Sequence, residues 1–367
     1  MLKGSKLEIR RKRYLKPAVY AALIFIMALV PVVIRSIYML HILILVFIYL
    51  IAAVSLRAIT ISGQFPLAHA AFMGIGAYMS GMASKWLGWS PWFTIPAASL
   101  ITAAIGMLFG LPFARLRSLY YAMGSLFFGI GVLQIIYALG KWTGGYSGFV
   151  GIKPLFAGSK LIYYYFFMGL ALISIIALYR FEYSRIGLNL KAIAQSHLVA
   201  SSVGINEGWY RVMAVGIGCF FAGVAGACYA HYNLVLSTSS FNFMATLWLV
   251  MYVLIGGIGY FAGPIIGTFV LILIPEFFRD LKMYSPFVSA ALLGIVVYVM
   301  PDGLVGLPKT VVSWIAEPRK SKDPGPEDPA SPRLHRGRPG FDFTPASGSE
   351  SPQLGERGGV YLKRRME

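Results

Sequence analysis

Two polar side chains, Gln64 and His69, interrupt an apolar, glycine-rich stretch from Gly63 to Gly81. Polar groups at membrane depth need a hydrogen-bond partner or a water-lined cavity. The stretch therefore reads either as the lining of a path for a polar solute or as a helix contact closed by His69. A second stretch, Arg115–Gly131, opens with Arg115 and Arg117, passes Tyr120 and Tyr121 and reaches Ser125 one turn deeper. Basic residues followed by tyrosines suit the cytoplasmic edge of a membrane. A third, Gly256–Gly267, sets Gly256 and Gly257 ahead of Pro264. Such glycine density marks a turn or a broken backbone, and lipid tolerates that only inside protein or beside water. Gln64, His69, Tyr121, Ser125, Gly256 and Gly257 are the candidate translocation path.

Other chemistries lack their residues. No Gly-x-x-x-x-Gly-Lys-Ser/Thr phosphate loop occurs, so any ATP that drives this chain is expected to be hydrolysed by another one. Cys219 and Cys228 fall on one apolar segment, about 13 Å apart along a helix axis, too far to bridge. No spacing suits a metal, and neither a cofactor nor a catalytic residue is expected. Ahead of the tail the acids are Glu8, Glu182, Glu207, Glu276, Asp280 and Asp302. Of these, only Glu276 could lie within a span, near its end. Ion-coupled carriers keep ionisable groups deep in the membrane, so a proton- or sodium-driven machine is disfavoured.

The stretch Tyr183–Asn206 predicts one or two short helices between two spans. Ile186, Leu190, Ile193, His197 and Ala200 share a face at helical spacing, and Gly204 is a plausible C-cap. Such an element can dock into a groove of another protein or rest on lipid. Ala214, Gly218, Ala222, Gly226 and Ala230 recur every fourth residue, a ladder that permits tight helix packing in a membrane. Gly144–Ile152, in the longest external loop, reads as a flexible polar segment, either a plain loop or a contact for a partner protein outside.

The elements that position these residues are membrane helices. The chain has 367 residues, 57% hydrophobic and 13% charged, with net charge +18; a soluble domain carries about 25% charged residues. Apolar runs of span length fall at 17–34, 39–56, 66–84, 92–114, 119–139, 161–179, 212–230, 241–255, 262–278 and 284–300. The fold class is an all-α integral membrane protein, a polytopic bundle of about 8–10 transmembrane helices. It divides into a basic cytoplasmic head 1–16, a transmembrane domain 17–308 with a loop 180–211 facing the cytoplasm, and a disordered cytoplasmic tail 309–367. The tail is rich in Pro, Gly, Ser and charge and cannot bury enough surface to order itself.

Together these segments resemble the LivM-type permease family of branched-chain amino acid ABC importers, over roughly residues 50–308. The family pattern Gly-x-x-Ser-x-Gly-His-Ala-Ala-Phe-x-Gly-x-Gly-Ala-Tyr stands here as Gly63 to Tyr78, with Pro66 and Ala68 in place of Ser and Gly. Arg115, Arg117, Ser118, Tyr120, Tyr121 and Ala122 match a second motif, and Phe221–Gly226, Gly256–Gly259 and Pro301–Gly306 match others. The cytoplasmic motif falls on Gly187, Lys191, Ala192, Ile193, Ala200, Gly204, Ile205 and Asn206, with Leu188 and Ala194 where basic residues are usual. With Arg185, these residues form the ATPase-coupling loop that the resemblance implies.

The resemblance further implies transport of leucine, isoleucine and valine across a prokaryotic cytoplasmic membrane. Its partners would be a LivH-like second permease, two cytoplasmic ABC ATPases, an extracytoplasmic substrate-binding protein and membrane lipid; nucleic acid is not expected. A urea or short-amide ABC permease is the alternative within the class. A stand-alone secondary carrier or channel is the alternative outside it.

With ten spans and an internal N-terminus, 25 of the 32 Lys and Arg residues fall on the cytoplasmic side. Positive charge stays inside, so reporter fusions at residues 10 and 320 should both report cytoplasm. An external signal from either would overturn the even-span topology.

Overall fold

The computed structural model describes residues 27–31, 36–116, 118–156, 158–277, 294, 303 and 304. The head 1–16, most of the spans expected at 17–34 and 284–300, Arg117 and the tail 309–367 lie outside the described residues. In chain order the helices are α1 (Ile37–Thr60), α2 (His69–Trp86), α3 (Pro91–Phe113), α4 (Ser118–Ala138), the single turn α5 (Gly140–Thr143) and α6 (Lys160–Glu182). Then come α7 (Arg185–Gln195), α8 (His197–Ser202), α9 (Glu207–Asn233), α10 (Phe243–Gly256) and α11 (Gly263–Phe277). Among the described residues, six helical segments are long and apolar enough to cross a membrane, and Gly263–Phe277 is a shorter apolar helix.

Every expected span from 39–56 to 262–278 corresponds to one of these helices. Two begin later than expected, for a shared reason. The Leu67 and Ala70 amides, at the start of α2, donate to Ser125 Oγ (2.9 Å) and Thr246 Oγ1 (3.2 Å). Side chains from α4 and α10 thus take over donors that a helix start leaves free. In the same way α10 starts only at Phe243, where Asn242 Oδ1 accepts from the Ala245 amide at 3.0 Å; a 3₁₀ turn, Thr238–Phe241, precedes it.

The bundle centres on α9, which packs against α1, α2 and α3. Ala214, Gly218, Ala222, Gly226 and Ala230 are all buried. A side chain at Gly218 would strike Ile59 of α1, one at Gly226 the Met73 carbonyl of α2, and one at Gly223 Ser99 and Thr102 of α3. The glycines therefore set how closely three neighbours approach, and without a hydrophobic drive in lipid that contact is the main attraction. Cys219 and Cys228 are free and buried in the same helix.

At the end away from α7, two short strands tie loops together. Phe149 of β1 (Phe149–Val150) pairs antiparallel with Leu236 of β2 (Val235–Leu236). Part of the stretch expected as a plain loop is thus fastened. Beside it, His231 Nε2 lies 2.8 Å from Ser80 Oγ and Nδ1 lies 2.8 Å from the Lys153 carbonyl, joining α9 to α2 and to the loop before α6.

Replacing Gly226 by Leu should overpack the α9–α2 contact and cost about 1–3 kcal/mol or more, read as a lower melting temperature in detergent. Gly131, in α4, has open space around it. Gly131→Ala should leave stability unchanged or raise it by up to about 1 kcal/mol.

Candidate functional site

The link from α6 to α9 is built by three caps. Ser184 Oγ accepts from the Gly187 amide at 3.4 Å and starts α7; Ser196 Oγ accepts from the Val199 amide at 3.4 Å and starts α8. Asn206 Oδ1 accepts from the Trp209 amide at 3.2 Å and starts α9. Between α8 and α9, Gly204 takes φ 82°, and the Ile205 amide reaches back to the Ala200 carbonyl at 3.1 Å. This closure needs a left-handed residue, which glycine supplies.

The direction of the amphipathic face differs from a helix waiting for a partner. Gly187, Leu190, Ile193 and Ala200 are buried against the chain's own helices. Ile186 and His197 are half-buried. What faces outward is a second set: Leu188, Leu198, Val199 and Val203, between 56% and 71% exposed. Ala192 is half-buried, and Arg185, Gly204 and Asn206 are exposed. Periodicity locates an apolar stripe but cannot tell which neighbour covers it.

Beneath α7 lies an ion cluster. Arg57 stands in the last turn of α1 and Glu182 ends α6, and both side chains are 3% exposed. The guanidinium grips the carboxylate through both oxygens, Nε to Oε2 at 2.8 Å and Nη2 to Oε1 at 2.9 Å. Its Nη1 also donates to the Ile258 carbonyl, in the turn between α10 and α11. Lys191 of α7 adds a third nitrogen, 2.9 Å from Glu182 Oε1, and lies 4.6 Å from the Tyr183 ring centre. A second ionic contact secures the start of α9, where Arg211 pairs with Glu207 at 2.6 Å and donates to the Ala114 carbonyl beyond α3 at 3.1 Å. The Arg57–Glu182 pair is missed by sequence reasoning. Its partners are 125 positions apart, and Glu182 reads as an ordinary loop acid just past a span.

The six path residues fall into two groups. Gln64, His69, Tyr121 and Ser125 gather around the start of α2, all buried. His69 Nε2 lies 2.9 Å from Ser55 Oγ and 3.1 Å from the Ala52 carbonyl. The Gln64 amide donates to the Leu116 carbonyl at 3.4 Å. Ser125 Oγ accepts from Leu67 and donates to the Ala122 carbonyl at 2.8 Å. Gln64 Oε1 and His69 Nδ1 have no hydrogen-bond partner among the described residues. Gly256 and Gly257 form the α10–α11 turn, where Gly257 takes φ 113°, a side chain at Gly256 would strike the Gly263 backbone, and side chains at Gly263 or Gly303 would strike the Gly257 backbone. Neither group lines the half-open apolar cavity of about 350 Å³ between α1, α10 and α11, whose wall includes Tyr49, Trp248, Tyr252 and Leu271. Among the described residues no cluster of His, Cys, Asp and Glu could hold a metal ion.

Apolar spans, a broken α10–α11 turn and a capped helical link on one face define a polytopic all-α membrane protein. The family model described as branched-chain amino acid transport system / permease component matches residues 38–301, and the chain belongs to that family. LivM, the high-affinity branched-chain amino acid transport system permease protein of Escherichia coli (strain K12), is 26% identical over 290 residues, 71% of this chain and 68% of that one. LivH of the same strain is 34% identical over 131 residues, 35% of this chain and 42% of its own. NupC, a nucleoside ABC transporter permease of Lactococcus lactis subsp. cremoris (strain MG1363), is 27% identical over 177 residues, 43% and 56% of the two chains. No solved structure matches the chain.

Arg57→Met should cost about 3–5 kcal/mol, because it strands a buried carboxylate. The double variant Arg57→Met with Glu182→Met should recover most of that. Thermal unfolding of the detergent-solubilised protein checks both; an additive loss in the double variant would contradict the pairing.

Proposed function

We propose that this chain is the LivM-like translocation subunit of an ATP-binding-cassette importer for leucine, isoleucine and valine in a prokaryotic cytoplasmic membrane. The carrying observation is the outward apolar set on α7–α8, seated on a buried ion cluster. Four exposed aliphatic side chains on a short, capped, rigid link are what a groove in a partner can hold. The link belongs in the cytoplasm, as do both termini, by the distribution of basic residues. The membrane domain 17–308 carries the path, loop 180–211 receives the ATPase, and head 1–16 and tail 309–367 are cytoplasmic extensions.

In this reading two ATPases grip α7–α8, a LivH-like permease completes the path, and an external binding protein delivers substrate. ATP-driven closure of the ATPases shifts α7 and changes access to the path. Arg185, Gly187, Lys191, Ala192, Ile193, Ala200, Gly204, Ile205 and Asn206 shape or present the link. Gln64, His69, Tyr121 and Ser125 support the broken start of α2, and Gly256 and Gly257 the broken turn, as the backbone beside the path. The 350 Å³ cavity beside Tyr49, Trp248 and Tyr252 is within the size range of small-ligand sites and suits an aliphatic side chain.

The nucleoside permease relative keeps a second substrate class in view. Uptake of labelled leucine, uridine and urea by the complete assembly decides between them: leucine should be accumulated with ATP and competed by isoleucine and valine. Uridine or urea uptake with none of leucine would move the chain to another substrate.

Ala192 lies between exposed Leu188 and Gln195 on the outward side. Ala192→Glu should overpack the ATPase contact by about 1–3 kcal/mol, roughly a 5- to 150-fold loss in association. Membrane insertion should be spared. Full co-purification of the ATPases with the variant would remove this loop from the coupling role.

A further inference from the structure

Three nitrogen atoms converge on the Glu182 carboxylate, and they are not equivalent. Arg57 Nε and Nη2 take one oxygen each, and the Arg57 side chain is 3% exposed. Lys191 Nζ shares Oε1, and its side chain is 34% exposed. Losing Arg57 would leave a charge in a dry site. Losing Lys191 leaves a neutral, fully engaged Arg–Glu pair, while the ammonium returns to water on its flexible stem. Among these contacts, the Lys191 one can break and reform at little cost.

The elements joined are equally uneven. Arg57 stands in the last turn of α1, Glu182 ends α6, and Ile258 lies in the α10–α11 turn. These form one strut among membrane helices. Lys191 stands on α7, which packs against α6 and α9. That helix is pinned at one end, because Gly187 lies against the Glu182 and Phe181 carbonyls with no space for a side chain. Its other end lies beside the loop after α1, where only a side chain added at Gly63 would reach van der Waals contact with Ala194. A push on the outward residues of α7 therefore turns it about Gly187, and Lys191, one turn further on, is the contact that the turn loads.

We propose that Glu182 is a positioning residue for transport: the fixed Arg57–Glu182 pair carries movement of α7 into α1 and the α10–α11 turn, and Lys191 is the arm that engages and releases it. This rests on the ABC permease reading above. No step at a substrate atom is involved. The cluster converts displacement of a surface helix into displacement of the helix ends that bound the path.

The test uses the complete assembly in proteoliposomes, measuring ATP hydrolysed, labelled leucine taken up and ATPase retained in the same samples. Lys191→Met should lower uptake per ATP hydrolysed, normalised to the ATPase retained, by about tenfold, a typical size for coupling between sites. Lys191→Arg should restore it, because a cation returns to Oε1. In a Glu182→Gln background, Lys191→Met should add no further loss, since the arm then has nothing to engage. Wild-type uptake per ATP in Lys191→Met, or equal failure of the Arg variant, would overturn the proposal. If the wild-type chain retains no ATPase at all, the transport reading itself fails. If it does and Lys191→Met is silent, only the role of the cluster fails.

Discussion

Backbone-to-backbone approach along α9 is the constraint on which the rest of the bundle depends. Lipid gives helices little reason to associate, so van der Waals contact must supply it. Small residues at every fourth position of α9 let α1, α2 and α3 close around it. The cost is intolerance of added atoms at Gly218, Gly223 and Gly226. What the constraint achieves is a rigid centre that fixes the start of α2, and through Thr246 and Ser125 the positions of α10 and α4.

Against that centre, the α7 end is built from different materials. Its helices are short, its joints are Ser, Gly and Asn caps, and its apolar contacts are few. Charge replaces close packing there: Arg57 and Glu182 hold α1, α6 and the α10–α11 turn, and Lys191 holds α7 to them. In the coupling proposed above, a lightly fastened surface link on a closely packed core would let force applied at one face move helix ends without unpacking the bundle. Broken backbone at Gly256–Gly257 sits where such movement would be absorbed.

Much of the fold is legible in the residues alone, because span length and apolarity are direct demands of a bilayer. The α9 ladder is legible for the same reason, since its period is a property of one helix. The late start of α2 is not, because it depends on Ser125 and Thr246 of other helices, whereas Asn242, which starts α10, is a local cap. Nor is the inward turn of Leu190 and Ile193. Least legible is the ion pair: nothing local to Arg57 or Glu182 marks them as partners. Of the candidate path, the polar residues are found by type, yet their surroundings are decided by long-range packing. His69 meets α1 and Ser125 meets the backbone before α2.

The claim that energy enters at the α7–α8 face, and not from an ion gradient, is tested most directly by reconstitution in two stages. Vesicles holding the purified chain alone, given a proton or sodium gradient and labelled leucine, should accumulate none. Vesicles holding the complete set of permeases, ATPases and binding protein should begin to accumulate leucine when ATP is supplied on the ATPase side. Gradient-driven accumulation by the chain alone would contradict the claim and make it a secondary carrier.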